Sequence, residues 1–588
     1  MNLRTITGPE ALKKVPAEQL NELCADLRQA MLTRTAAHGG HVGPNLGFLE
    51  ATVALHRVFN SPFDKIIFDV SHQAYPHKML TGRMEAYLDE DKYDAISGYS
   101  EPSESPHDHF VIGHTSTSVS LACGLAKARD LKGEKYNVIA VIGDGSLTGG
   151  MAFEGLNNLG EQGGNAIVIF NDNQMSIAEN HGGFLGSLQK LRETKGADPC
   201  NFFKALGLDY VYVDEGNDVH KLIAKFEQVK DIDHPIVVHI NTEKGHGYSY
   251  ATENKEPWHW SMPWNLETGK PLREFGESVH DRTAEWLLKR METDKTLCVI
   301  NAAVPIFGGF TKPRRDRAGK QFVDPGICEE HAVAFSSALA NGGARPVWFV
   351  ASTFLQRTYD QLSHDLAVNS NPAVIVVCAN GLTAMNDVTH IGFFDIPMAS
   401  NIPNLVFLCP TSEAEYFAML DWALTQCARP VVIRMWERGN APATIPVATD
   451  YSDIGKFQVV VRGKKVALFG LGAFFPLAQD VAAKLREKGF DPTVVNPRYA
   501  GDVDEALIAD LANDHELVVT LEDGVIAGGF GEKVARVAAA RGLKVLVKGA
   551  PKKFEDRFDP KDFLARSGLT VEKIAADVIE HVSSRRRT

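Results

Sequence analysis

The sequence predicts an α/β protein of three domains, each with a mainly parallel sheet flanked by helices, and three observations carry that expectation. The first is a set of short, uninterrupted, β-branched runs, among them Val138-Ile139-Ala140-Val141-Ile142 and Ile167-Val168-Ile169-Phe170. Runs of this kind mark strands buried on both faces of a parallel sheet. The second is their alternation with longer helical patterns, which is how crossover connections build such a sheet. The third is length: 588 residues exceed one core, at ~100–200 residues per domain.

In chain order, the first domain spans residues 1–265, starts with a helix near Glu18, and holds the two runs above and a third at Pro235–Ile240. A polar stretch rich in Trp and Pro, Glu253 to Pro271, reads as an active-site edge or linker rather than core. The second domain spans residues 279–445, with strands at Val347–Val350, Ala373–Val377, Leu405–Leu408 and Pro430–Ile433. The third spans residues 451–588, with strands at Lys465–Phe469 and Glu516–Thr520. Gly470-Leu471-Gly472 could open a dinucleotide fingerprint, but Pro476 follows and no third glycine stands where one is needed. It reads as a structural turn, as does Gly528-Gly529-Phe530-Gly531.

A formal charge of −13 argues against nucleic acid as a partner, since such binders rely on basic patches. Arg585-Arg586-Arg587 reads as a solvated tail. The eight cysteines include no CxxC pair, so neither a zinc site nor a disulfide framework is indicated. Residues 1–16 lack an apolar signal core and no run is long and apolar enough to span a bilayer. The expectation is a cytoplasmic protein without a membrane partner.

Chemistry concentrates at the ends of two predicted strands, in Gly143-Asp144-Gly145 and Asn171-Asp172-Asn173. Open α/β sheets bind ligands beyond the carboxyl ends of their strands. The Asp144 carboxylate and the Asn173 amide oxygen suit Mg²⁺ or Ca²⁺, and Mg²⁺ completes its shell with water and phosphate oxygens. The glycines allow backbone to approach a diphosphate. Alone, the first cluster is a tight turn; the pair, at this spacing, resembles the thiamine diphosphate motif of Gly-Asp-Gly followed about thirty residues later by Asn.

Further stretches extend the resemblance to the whole chain: DVSHQAYPHK from Asp69, GHTSTS from Gly113, GDGSLT from Gly143, EEHAV from Glu329, STFLQRTYDQ from Ser352 and RGN from Arg438. Together they resemble the 1-deoxy-D-xylulose-5-phosphate synthase branch of the transketolase-like thiamine diphosphate enzymes. The resemblance implies the transketolase-like thiamine diphosphate-binding fold, a homodimer, and thiamine diphosphate with Mg²⁺ as cofactors. The domains would be, in order, a diphosphate/metal domain, a pyrimidine domain and a C-terminal transketolase-type domain. The implied reaction condenses pyruvate with glyceraldehyde 3-phosphate and releases CO₂.

The resemblance also implies roles. Asp144 and Asn173 would bind the metal by side chain and Met175 by its carbonyl; Gly113, His114, Thr115, Gly145 and Ser146 would lie against the cofactor. Glu329 would face the pyrimidine ring and Phe354 would pack on it, with Arg357 nearby. From sequence alone, Glu329 reads equally well as an acid capping a helix from His331 to Leu339. His41, His72 and His390 would take part in proton transfer, which suits a group titrating near neutrality. Tyr248 and His259 would close the reacting end, and Arg357 and Arg438 could contact substrate anions. His77, His107 and His364 read as exposed or capping residues.

The acceptor side departs from the family. Where it has Asp-Arg-Ala-Gly, with the arginine gripping the acceptor phosphate, this chain has Cys378-Ala379-Asn380-Gly381. Asn386 holds a position usual for aspartate, and Ala351 one usual for tyrosine. The segment after Ser176 is shorter than in typical members, and no basic residue precedes Ser103-Glu104-Ser105. The alternative is a related thiamine diphosphate carboligase or transketolase-like enzyme that uses a different aldehyde acceptor, with one lacking a phosphate among the options. A non-catalytic paralogue is a third reading, which the retained Asp144, Asn173 and Glu329 oppose.

Overall fold

The computed structural model describes residues 1–584, so the Arg585–Arg587 tail lies outside the described residues. The chain forms two compact units: one from Met1–Gly276 with Gly326–Cys328, the other from Glu277–Pro325 with the chain from Glu329 onward. The first unit holds one sheet and the second holds two.

The first sheet contains β1 (Lys65–Phe68), β2 (Val138–Gly143), β3 (Ile167–Asp172), β4 (Asp209–Val213) and β5 (Ile236–Asn241), all parallel, in the order β1-β2-β3-β5-β4. Ile139 and Val141 of β2 join one core cluster, while Val138, Ala140 and Ile142 join the other. Strand side chains alternate between faces, so an all-apolar run is what a sheet covered on both sides requires.

The second sheet contains β6 (Leu297–Asn301), β7 (Phe322–Val323), β8 (Arg345–Ala351), β9 (Val374–Cys378), β10 (Val406–Leu408) and β11 (Val431–Arg434), again parallel, ordered β10-β11-β9-β8-β6-β7. The third contains β12 (Gln458–Val461), β13 (Lys465–Gly470), β14 (Thr493–Asn496), β15 (His515–Val525) and β16 (Lys544–Ala550), ordered β12-β14-β13-β15-β16. Its edge strand β12 runs antiparallel to β14 and the rest are parallel. One core cluster joins Trp348 and Val350 of β8 to Ala467 and Phe469 of β13, tying these two sheets together. Among the described residues no helix is long and apolar enough to cross a membrane.

Three expectations change. The Glu253–Pro271 stretch is not merely an edge: Trp258 and Trp264 are buried in the first core, their rings 5.0 Å apart and nearly perpendicular. Strand β15 continues past Thr520 through Glu522 and Asp523, both fully buried. His77 is neither exposed nor capping; it is buried between His56 and Asp108, with ring nitrogens 2.8 Å from His56 Nε2 and 2.8 Å from Asp108 Oδ1.

That histidine pair makes stability pH-dependent. Burial first, and neighbouring charged groups second, hold His56 well below the usual imidazole range. Burial also lowers His77, against the opposing pull of Asp108. Both are neutral in the folded chain, whereas the unfolded chain takes up protons near pH ~6.5. Their contribution is therefore complete above that pH and is lost as pH falls toward the depressed folded values. For Asp108 burial acts upward, but Arg83 and His77 outweigh it and hold the carboxyl low, so its contribution disappears only below the ordinary carboxylate range. The melting temperature should fall between pH 7.5 and 5; a constant value would contradict this assignment.

Candidate functional site

The first group of residues forms where β2 and β3 end side by side, with Gly143 paired to Asn171. Asp144 N donates to Asn171 O at 3.0 Å, and Gly145 N donates to Asp144 Oδ1 at 2.9 Å. Asn173 Oδ1 accepts from Met175 N at 3.1 Å, closing a turn in which Gln174 has φ +65°. A Cβ at Gly145 would lie 3.0 Å from the Ser176 side chain, so this approach calls for glycine. Asp144, Asn173 and Met175 thus come together through the pairing of two strands.

Asp144 Oδ2 is buried and has no hydrogen-bond partner among the described residues. Burial, then the Asp172 charge, raises the Asp144 carboxyl well above its usual range. Asp172 itself is held low: burial acts upward, but His239 and Arg192 outweigh it. An unpartnered oxygen on a buried acid is what an absent cation would explain. Among the described residues no three His, Cys, Asp or Glu gather as a metal cluster. One carboxylate, one amide and one carbonyl would leave much of an octahedral shell to water and phosphate, as Mg²⁺ prefers. The residues present therefore fit Mg²⁺ with a diphosphate.

A neighbouring loop is fixed by Asp69, which is buried and accepts from Ser116 N at 2.7 Å and Ser118 N at 2.9 Å. Those bonds set the run Gly113, His114 and Thr115 at the head of the helix Ser118–Lys132. Ser116 Oγ donates to Ser146 O at 2.7 Å, joining this loop to the Asp144 turn.

His41, His72 and His259 meet in one cluster: ring centroids lie 5.2 Å apart for His41–His72, 5.6 Å for His41–His259 and 5.2 Å for His72–His259. Asn45 holds two of them, its Nδ2 donating to His41 O at 2.8 Å and to His72 O at 2.7 Å. The Lys244 ammonium lies 3.2 Å from His259 Nδ1 and also donates to Ser176 O. Burial lowers Lys244 to about 7, with Asp144 pulling it up and Lys255 down. Burial, Lys244 and the other two histidines hold His259 well below its usual range. Tyr248 stands apart from this cluster in its bonding: its hydroxyl donates to Leu266 O at 3.0 Å and accepts from the Trp264 indole at 3.0 Å.

The second unit holds the other group. Glu329 is the first residue of the helix Glu329–Asn341, is 4% exposed, and faces Arg357 Nη1 at 3.3 Å. Burial raises its carboxyl above the usual range, opposed chiefly by Arg357. Phe354, one turn before Arg357, meets the His390 ring edge-on at 5.6 Å. His390 Nδ1 lies 2.7 Å from Thr389 Oγ1, and burial lowers its pKa against the pull of Asp387. Arg438 Nη2 donates to Asp523 Oδ2 at 2.6 Å. Asn386 Nδ2 donates to Phe558 O at 3.0 Å.

Sequence reasoning missed Asn45, Asp69, Lys244 and Asp523. Asp69 lay within a quoted motif without a role. The other three act through carbonyls, a nearby ring or a distant arginine, which leaves no spacing pattern to find.

Residues 3–199 and 192–242 match the family profile described as 1-deoxy-D-xylulose-5-phosphate synthase. Residues 278–442 match the transketolase pyrimidine binding domain, and residues 455–574 the transketolase C-terminal domain. A 1-deoxy-D-xylulose-5-phosphate synthase of Symbiobacterium thermophilum is 38% identical over 98% of this chain and 94% of its own. That of Caldanaerobacter subterraneus is 38% identical over 99% of this chain and 100% of its own. A third relative, 1-deoxy-D-xylulose-5-phosphate synthase 1 of Geobacter metallireducens, is 37% identical over 98% of each chain.

Proposed function

The chain belongs to the 1-deoxy-D-xylulose-5-phosphate synthase family of transketolase-type transferases, and on that premise we propose that it condenses pyruvate with an aldehyde, releasing CO₂, with thiamine diphosphate and Mg²⁺ bound. In the family's own reaction the aldehyde is glyceraldehyde 3-phosphate and the product 1-deoxy-D-xylulose 5-phosphate. The enzyme would act as a homodimer in the cytoplasm, on small molecules, without nucleic acid or membrane. The observation that carries this reading is the buried, unpartnered oxygen of Asp144 beside the Asn173 turn.

When bound, the cofactor supplies the carbon nucleophile and electron sink needed to break the bond between the carboxyl and carbonyl carbons of a 2-oxo acid. Asp144, Asn173 and the Met175 carbonyl would hold the metal, and Gly113, His114, Thr115, Gly145 and Ser146 would line the cofactor. Burial raises the Glu329 carboxyl against the pull of Arg357, and its oxygens would hydrogen-bond a ring nitrogen of the cofactor. Arg357 limits that rise and fixes the carboxyl by its ion pair. Burial lowers both His259 and His390, which favours their neutral forms. His41 and His72 share the first of these clusters.

A second reading keeps the pyruvate half and uses an unphosphorylated aldehyde. One observation favours it: Arg438, a candidate phosphate contact, is paired with Asp523, while Ala379 stands where the family has an arginine. The test of the reading as a whole is CO₂ release from pyruvate by the full chain with thiamine diphosphate and Mg²⁺, across a panel of aldehydes. Release that some aldehyde accelerates is the expected result. No release with any of them would overturn the assignment.

A further inference from the structure

Three aromatic rings meet the imidazole of His41 edge-on. His72 stands 5.2 Å from it, His259 5.6 Å and Tyr99 5.8 Å, centroid to centroid, with interplanar angles of 73°, 84° and 70°. Two of the three are histidines that the proposed reading already uses. The third, Tyr99, comes from a loop distant in sequence and has had no role so far.

That loop is tied down on both sides of the tyrosine. Tyr99 N donates to Ser97 Oγ at 3.0 Å, and Ser97 N donates to Glu104 Oε1. Glu104 Oε2 accepts from Lys78 Nζ at 2.6 Å and from Arg83 Nη1 at 3.2 Å, so this tether ends in a largely buried ionic cluster. On the far side, Ser100 N donates to Ser71 Oγ at 2.8 Å, and that hydroxyl donates to Ile112 O at 2.6 Å. Ser71, Ser97 and Ser100 are buried, and Tyr99 is half-buried. Ordering backbone costs conformational entropy, and here the ordered loop delivers one aromatic ring to His41.

A histidine ring needs such a neighbour. Its terminal torsion is broad and roughly two-fold, and the bond from Asn45 to His41 O acts on the backbone rather than on the ring. Proton transfer requires one ring nitrogen within hydrogen-bond reach of the reacting atom, and a misplacement of ~1 Å can cost ~10²-fold. An edge-on aromatic contact biases one arrangement over another by about two- to tenfold.

We propose that Tyr99 is a positioning residue: its ring, seated on the loop of residues 97–100, confines the His41 imidazole to one orientation for proton transfer. The inference rests on the pyruvate-dependent reaction proposed above, in which His41 belongs to the reacting end.

The experiment compares Tyr99→Leu, which removes the ring, with Tyr99→Phe, which keeps it and loses only the hydroxyl. The first readout needs no turnover: acylation of His41 by diethyl pyrocarbonate in the cofactor-free chain, followed by peptide mass spectrometry and scaled to His234, whose side chain is 52% exposed. It should quicken about two- to tenfold in Tyr99→Leu and match the parent in Tyr99→Phe. The second readout is CO₂ release from pyruvate with thiamine diphosphate, Mg²⁺ and the aldehyde that accelerates the parent most. Tyr99→Leu should lower kcat roughly tenfold with the KM for pyruvate within about threefold of the parent, and Tyr99→Phe should restore kcat. Melting temperature and calorimetric cofactor affinity should match the parent in both variants, which separates positioning from a merely structural role. Tyr99→Met supplies the same comparison where Tyr99→Leu does not fold. Unchanged acylation in Tyr99→Leu overturns the proposal, as does an equal loss of kcat in Tyr99→Phe or a loss that follows melting temperature or cofactor affinity. A parent chain that releases no CO₂ with any aldehyde defeats the proposed function and this role together. Parental turnover that Tyr99→Leu leaves intact defeats the inference alone.

Discussion

Asp144→Ala should abolish Mg²⁺-dependent binding of thiamine diphosphate while leaving the cofactor-free chain at least as stable as before. The carboxylate is the sole full charge assigned to the metal, and Asn173 and the Met175 carbonyl cannot replace it. Charge-assisted contacts contribute ~1.5–3 kcal/mol each. Losing the ion and one diphosphate contact with it therefore weakens binding on the order of hundredfold or more. Stability moves the other way. Without a cation, Asp144 is a buried acid beside Asp172 with one oxygen unpartnered, so removing it relieves an unfavourable arrangement. Calorimetric titration with thiamine diphosphate, paired with thermal melting of the cofactor-free protein, checks both halves. Parental affinity in the variant would show that the metal lies elsewhere.

Glu329→Gln should leave cofactor affinity within a few-fold of the parent and slow exchange of the thiazolium proton by roughly 10²–10⁴, the usual range for loss of a positioned acid or base. Glutamine preserves the shape of the helix start and keeps an oxygen for Arg357, but its amide cannot exchange a proton with the ring. The Arg357 contact at 3.3 Å and the burial at this position hold the side chain in place. Proton exchange followed by NMR reads that step apart from substrate binding. An unchanged exchange rate would remove Glu329 from the role given to it.

Much of the fold is legible because the central strands carry no polar interruptions. In β2 and β3 every residue of the predicted runs is buried, and the two faces alternate without exception. Two of the strands that the sequence reading did not name are of another kind. Edge strand β4 reads Asp-Tyr-Val-Tyr-Val and is half-exposed over most of its length, and β12 at the antiparallel edge alternates half-buried with exposed residues. Edge positions admit polar and aromatic residues, which blurs the pattern. The end of β15 was hidden for a sharper reason. Glu522-Asp523 looks like a loop, yet Glu522 accepts from Phe530 N at 2.8 Å and Gly531 N at 2.9 Å at the start of a helix, while Asp523 takes Arg438. Burial raises Glu522 to about 7, opposed by those two N–H groups. The head of the next helix makes Glu522 tolerable and a distant arginine does so for Asp523, and no local spacing pattern announces either.

The candidate site divides in the same way. Asp144 and Asn173 stand at strand ends, where the sheet rule already points, and their proximity follows from the register of β2 with β3. Asn45 and Lys244 could not be found so. Asn45 works by donating to two backbone carbonyls, and Lys244 lies in a tight turn where its neighbours are fixed by tertiary contact. The Trp258 and Trp264 pair was misjudged because a Pro- and Trp-rich stretch reads as surface, whereas here it seals one side of a core and bonds Tyr248.

Calorimetry on the unaltered chain tests the central claim most directly: titration with thiamine diphosphate in Mg²⁺, repeated after chelation of the metal. Saturable binding of one cofactor per chain, dependent on the divalent ion, is the expected result. Binding of equal strength in the chelator, or no binding in Mg²⁺, would contradict it.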